Sequence, residues 1–144
     1  MKNIDGLELS PKKIEYLKYI LRRGETVKTT DISNEFDVDP STVTKTINEL
    51  EGTGLIEHVP YRGVRLTSRG IEYAEFLLRR HRLIALMLSN YGLTPKEACE
   101  EASKLEGYVS KEVVNKICNS MGHPDEGVCG AIKHDFCCCC PEEN

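Results

Sequence analysis

Apolar positions in this chain recur mostly at helical spacing, and turn residues cut the pattern into short pieces. Ser10-Pro11 opens the first piece, with Ser10 as cap and Pro11 at the first helical position. Ile14, Leu17, Ile20 and Leu21 make its apolar face, and Gly24 ends it. Thr29 or Thr30 caps a second, short helix that carries Ile32 and Phe36 four residues apart. The turn Asp37-Val38-Asp39-Pro40 follows; Pro40 cannot continue that helix but suits the first turn of the next, which Asp39 or Ser41 caps. Val43, Ile47 and Leu50 then recur at i, i+4 and i+7, and Gly52-Thr53-Gly54 stops the stripe. Two β-rich runs, Leu55-Ile-Glu-His-Val59 and Val64-Arg-Leu66, flank Pro60-Tyr-Arg-Gly63 and read as a hairpin.

Thr67 caps a long helix, about 68 to 90, that is apolar over much of its circumference near both ends. Such a helix needs partners on two sides, which the first domain, the C-terminal helices or a second copy of the chain could supply. Thr94-Pro95 starts a helix to about 106, Gly107 breaks it, and Ser110 caps a last helix from 111 to about 121 with Val113, Val114, Ile117 and Cys118 apolar. After Gly122-His123-Pro124 the pattern becomes irregular. The fold expected is mainly α. A winged helix-turn-helix domain with a small β-hairpin wing spans 1–66, a helical dimerisation and sensing domain spans 67–124, and a Cys-rich tail spans 125–144.

The polar face of the third helix carries the first candidate chemistry. Ser41, Thr42, Thr44, Lys45 and Asn48 are short hydrogen-bonding groups plus one cation, with no acid before Glu49. That surface suits phosphates and base edges, with Thr42, Thr44, Lys45 and Asn48 toward a major groove of double-stranded DNA and Ser41 on the backbone. Arg62 at the hairpin tip, with Arg65 beside it, suits a phosphate or the minor groove. The plainer alternative is a helix hairpin with a solvated face.

Charge sharpens the picture. The 144 residues carry a net charge of −4, but residues 1–82 hold 14 Lys and Arg against 13 Asp and Glu, and 83–144 hold five against ten. Cations gather in the half with the helix-turn-helix, as in a binding domain joined to an effector domain. No apolar run is long enough to span a membrane and the start lacks a secretion signal, so the expected location is cytoplasmic, with no membrane partner. Seven cysteines then suggest free thiols or metal ligands.

Taken in order, Ser41-Thr-Val-Thr-Lys45, Tyr61-Arg-Gly63, Leu66-Thr-Ser-Arg-Gly70, Arg80-His-Arg-Leu83, Glu101-Ala-Ser-Lys-Leu-Glu106 and Gly122-His-Pro124 resemble the diphtheria toxin repressor family of metal-responsive transcription regulators, including its manganese-sensing branch. The resemblance runs from about Ile14 to Pro124. It implies a homodimer that binds a palindromic operator when divalent metal is present. It also implies metal ligands at Glu15, His81 and Glu106, with Cys99 where iron-type members have a histidine. Three positions depart from the family: Ser103 stands where cysteine or glutamate is usual, Gly107 replaces a histidine ligand, and Ala85 replaces an acid of a second metal position. Cys99, Ser103 and Glu106 at i, i+4 and i+7 share one helix face. A thiolate, an imidazole and carboxylates suit Fe²⁺, the favoured ion, or Zn²⁺ or Co²⁺, better than Mn²⁺.

Six of the seven cysteines lie after residue 117. Cys129, His134 and Cys137, Cys138, Cys139 and Cys140 form a second candidate metal or redox site, for Zn²⁺ or an iron–sulfur cluster; the plainer reading is an oxidation-sensitive tail. The sequence therefore predicts a metal-controlled, DNA-binding transcriptional regulator, most simply a repressor. The alternatives are a redox or iron–sulfur sensor that signals through the tail and a metal-independent winged-helix protein. An enzyme is not expected, since no nucleophile–base set and no phosphate-binding Gly loop is present.

Overall fold

The hydrophobic pattern folds into two units, and the computed structural model describes residues 5–134 of the chain. Cys137–Cys140 lie outside these residues. The first unit is Ser10–Glu75; the second joins the segment before it to the chain from Phe76 onward, so the division falls inside the long helix.

In the first unit, α1 (Pro11–Arg23) begins at Ser10, whose hydroxyl accepts from Lys13 N, and ends on Gly24 in the left-handed region. α2 (Thr29–Phe36) is capped differently from the sequence expectation. Lys28 is the cap residue, and the first-turn Asp31 carboxylate accepts its backbone N–H, so an acid one turn in does what a threonine hydroxyl was expected to do. α3 (Pro40–Gly52) starts after Asp39, whose carboxylate takes a hydrogen bond from the Ser41 hydroxyl. Val43, Ile47 and Leu50 have no exposed surface, a contribution of roughly 1.5–3 kcal/mol each. They share the core with Tyr16, Leu17, Ile20, Ile32 and Val64, and Phe36 lies against the rings of Tyr16 and Tyr19 at 5.1 and 5.6 Å.

β1 (Ile56–Val59) and β2 (Gly63–Leu66) pair antiparallel as the wing. Val27 forms a separate antiparallel bridge to β2, exchanging two 2.8 Å backbone hydrogen bonds with Val64. Thr67 N–H then donates to Leu55 O at 3.0 Å and its hydroxyl to Gly54 O at 2.7 Å, tying the start of α4 (Ser68–Ser89) to the beginning of the wing.

Burial pushes the Tyr16 phenol up in pKa, and its OH has no hydrogen-bond partner among the described residues. A buried hydroxyl without a partner gives nothing back for its lost hydration. Tyr16→Phe should therefore leave stability unchanged or raise it by up to about 1 kcal/mol. Urea unfolding reads this directly, and a loss above that size would mean the hydroxyl is bonded after all.

In the second unit, the remainder of α4 is followed by α5 (Pro95–Leu105), opened by a Thr94–Glu97 capping box, a single 3₁₀ turn at Glu106–Tyr108, and α6 (Lys111–Ser120) capped by Ser110. Ile84, Ala85, Ala98 and Ala102 form its buried centre, with Met87, Leu93, Leu105 and Val128 against them. Val113, expected on the buried face of α6, is exposed, whereas Val114 and Cys118 are fully buried. The region expected to be irregular contains a small antiparallel ribbon, β3 (Glu126–Gly127) with β4 (Gly130–Ala131). Strands of two residues are too short for alternation to be visible in the sequence. Arg82 holds this ribbon to α4 by donating to Ala131 O at 2.6 Å.

Candidate metal centre and DNA-contacting face

Helix periodicity puts His81 on α4 and Cys99 on α5, and the close packing of small residues between those helices lets the two side chains meet. Ala85, one turn after His81, and Ala98 and Ala102, flanking Cys99, are all fully buried. The Ala85 position thus serves as packing surface here. His81 Nε2 stands 3.1 Å from Cys99 Sγ, and His81 Nδ1 stands 2.6 Å from Glu106 Oε2. Glu106, at the junction of α5 and the 3₁₀ turn, keeps only 3% of its side-chain surface, and His81 keeps 13%.

An ionised carboxylate only accepts hydrogen bonds, so His81 carries its proton on Nδ1 and turns the Nε2 lone pair toward Cys99. That is the orientation of a metal-ligating imidazole whose other nitrogen is held by an acid. Cys129, in the turn of the β3–β4 ribbon, completes a group: donor atoms of His81, Cys99 and Cys129 all lie within 4.8 Å of one another. One imidazole and two thiols, with a buried carboxylate behind the imidazole, fit a divalent transition metal, and the softness of sulfur favours Fe²⁺, Zn²⁺ or Co²⁺ over Mn²⁺.

The expected ligands distribute as follows. His81, Cys99 and Glu106 come together. Glu15 lies on α1 in the first unit, 3.6 Å from Lys18 Nζ. Ser103 is exposed and its hydroxyl donates to Cys99 O, one turn back on its own helix, at 3.1 Å. Cys129 and His134, grouped together in the sequence, separate: Cys129 joins His81, whereas His134 meets Cys118 and His123. Cys118 and His123 were not among the sequence candidates. The available signal was a cysteine in the last turn of a helix with a histidine five residues on, after a glycine.

The face of α3 is as the polar positions suggest. Ser41, Thr44, Lys45 and Asn48 are exposed and Thr42 is half-buried. Acids around this face have partners: Glu49 pairs with Lys13 at 3.0 Å and Glu57 with Arg65 at 2.7 Å, and Glu51 Oε2 stands 2.6 Å from His58 Nδ1. Arg62 and Tyr61 are exposed at the wing tip, where Tyr61 adopts a left-handed φ of 63°.

Residues 8–64 match the family model of the iron-dependent repressor N-terminal DNA-binding domain, and residues 67–133 match that of the iron-dependent repressor metal-binding and dimerisation domain. An HTH-type transcriptional regulator of Methanocaldococcus jannaschii is 35% identical over 100 residues, covering 69% of this chain and 80% of that protein. The transcriptional regulator MntR of Escherichia coli O6:H1 is 31% identical over 108 residues, covering 75% of this chain and 70% of that protein. Among solved structures, the manganese regulator SloR superposes with a TM-score of 0.74 at 30% identity over 88% of this chain, which spans 61% of that chain's length. No helix among the described residues is long and apolar enough to cross a membrane. With both halves matched in order, this chain belongs to the iron-dependent repressor family, the diphtheria toxin repressor and manganese-transport regulator group of metal-dependent transcription regulators.

Proposed function

We propose that this protein is a homodimeric repressor that binds a palindromic operator when a divalent transition metal, Fe²⁺ before Zn²⁺ or Co²⁺, occupies the donor set of His81, Cys99 and Cys129. The observation that carries this reading is the convergence of these donors, with Glu106 fixing the His81 tautomer. A bound metal would supply a positive centre where α4, α5 and the ribbon meet. His81 would present Nε2, Cys99 and Cys129 would bind as thiolates with their protons released to solvent, and Glu106 would hold Nδ1–H. SloR, a structural neighbour, is a manganese regulator; the two thiols beside His81 in this chain support a softer ion.

Pairing through the second unit would present two recognition helices to half-sites one helical turn apart, about 34 Å. On each, Thr42, Thr44, Lys45 and Asn48 face base edges and phosphates, while Ser41 and Arg62 contact the backbone. Lys45→Ala should weaken binding to all sequences alike and reduce the salt slope by about 1. Asn48→Ala should relax base preference by about 1–3 kcal/mol at one position. Binding isotherms on operator and scrambled DNA at several salt concentrations separate the two effects. Equal losses on both DNAs for both variants would refute the assignment.

A further inference from the structure

A second convergence of donors shares no residue with the first. Cys118, in the last turn of α6, is fully buried. The chain then reverses, and the His123 N–H donates to Cys118 O at 2.9 Å. His123 holds a left-handed φ of 53°, a conformation that histidine adopts more readily than most non-glycine residues. His134 arrives from the far end of the ribbon. Cys118 Sγ stands 3.3 Å from His123 Nδ1 and 3.5 Å from His134 Nδ1. The two rings meet edge to face at 5.9 Å, and the three donor atoms lie within 4.8 Å of one another.

The tautomer of His134 is fixed by its other nitrogen. Nε2 stands 2.9 Å from Pro124 O and 3.6 Å from Asp125 Oδ1, and both oxygens only accept. Nε2 therefore carries the proton, and Nδ1 turns a lone pair to the thiol. An imidazole with one nitrogen on a backbone carbonyl and the other toward a thiol has the outer support of a metal ligand. The spacing agrees. Around a tetrahedral ion with metal–sulfur and metal–nitrogen bonds of about 2.3 and 2.0–2.1 Å, sulfur and nitrogen stand about 3.5 Å apart.

We propose that Cys118, His123 and His134 bind a second transition-metal ion of the zinc class, separate from that of His81. The ion is held by one thiolate and two neutral imidazoles, with a fourth position open to water. Cys118 releases its proton to solvent on binding. The ion fastens both ends of the segment that carries Cys129 to α6. It is thus a structural clamp on the ribbon, and its existence does not depend on what the His81 centre binds.

The test uses the 144-residue chain with Cys137, Cys138, Cys139 and Cys140 all changed to serine, so that those thiols are not counted. Anaerobic, reduced protein is titrated with Co²⁺, read by visible absorption and by elemental analysis after gel filtration. Two ions per chain are expected. His123→Ala and His134→Ala, at half-buried positions that spare the core, should each leave one ion, and so should His81→Ala; His81→Ala with His134→Ala should leave none. Two ions retained in both His123→Ala and His134→Ala, or a single ion lost only with His81→Ala, would overturn the second site. A single ion lost with His134→Ala but kept in His81→Ala would uphold this site and defeat the reading of His81 instead.

Discussion

A chain carrying His81→Ala is expected to bind its operator no more tightly with metal than without it. The side chain is the one imidazole at the centre, it stands 3.1 Å from the Cys99 thiol, and its orientation is set by an acid with 3% of its side chain exposed. Removing a group that merely orients a ligand typically costs 10–100-fold in metal affinity. Removing the ligand itself should cost at least the upper end of that range. Glu106→Gln provides the graded comparison. The amide oxygen can still accept from Nδ1–H but carries no charge, so metal affinity should fall about 10–100-fold and operator binding should be recovered at higher metal concentration. Alanine is also the best helix former, and position 81 is interior to α4, so the fold should survive the first change. Fluorescence anisotropy of labelled operator against metal concentration reads both variants. A metal-induced tightening in His81→Ala equal to that of the parent chain would remove this residue from the centre.

Elements whose logic is local were legible in the sequence. The Val43, Ile47, Leu50 stripe lies within one helix, and all three residues are fully buried. The caps at Ser10, Thr94 and Ser110 each depend on residues three apart, and all three accept the N–H that such a cap accepts. Contacts that close over long stretches of chain left no such trace. Nothing in the spacing of Arg79-Arg80-His81-Arg82 marks any of the three arginines for burial, yet Arg79 and Arg80 are buried. Arg79 donates to Asn115 Oδ1 at 2.8 Å; Arg80 lies over the Phe76 ring and donates to Gly6 O and Val109 O at 2.6 and 3.1 Å. A guanidinium can be buried when carbonyls meet its N–H groups, and those carbonyls come from segments that periodicity does not connect.

The same reason governs the candidate metal centre. Cys99 and Glu106 share a helix and its end, so their common face follows from spacing. The resemblance adds His81. Cys129 reaches them only because the β3–β4 ribbon returns to α4, anchored by Arg82 on Ala131 O. From the sequence, its nearest chemical neighbours were the tail cysteines and His134. In the structure His134 belongs to a different group, because the ribbon between the two residues reverses the chain.

The first turn of α4 sets propensity against steric fit, and the outcome of Gly70→Ala should show which governs. Helix propensity alone favours alanine by about 1 kcal/mol, and Gly70 lies in a helix. A methyl group there would stand 2.9 Å from the carbonyl carbon of Leu55, closer still to its oxygen, and 3.3 Å from Leu66 Cδ2. Leu55 O is backbone and accepts the Thr67 N–H at 3.0 Å, so no rotamer change relieves the overlap. The start of α4 must move off the wing, which loosens the Thr67 bonds to Gly54 and Leu55 together. A net loss of about 2–4 kcal/mol follows, since forced overpacking outweighs the propensity gain. Gly52→Ala is the matched control: it lies in the last turn of α3 with nothing within 4 Å of the added methyl, and should stabilise by about 0.4–1 kcal/mol. Denaturant unfolding of both variants decides the matter. Gly70→Ala as stable as the parent chain would mean that the wing and α4 yield to each other easily. A destabilised Gly70→Ala beside a stabilised Gly52→Ala would show that close backbone approach is what fixes glycine at the junction of wing and helix.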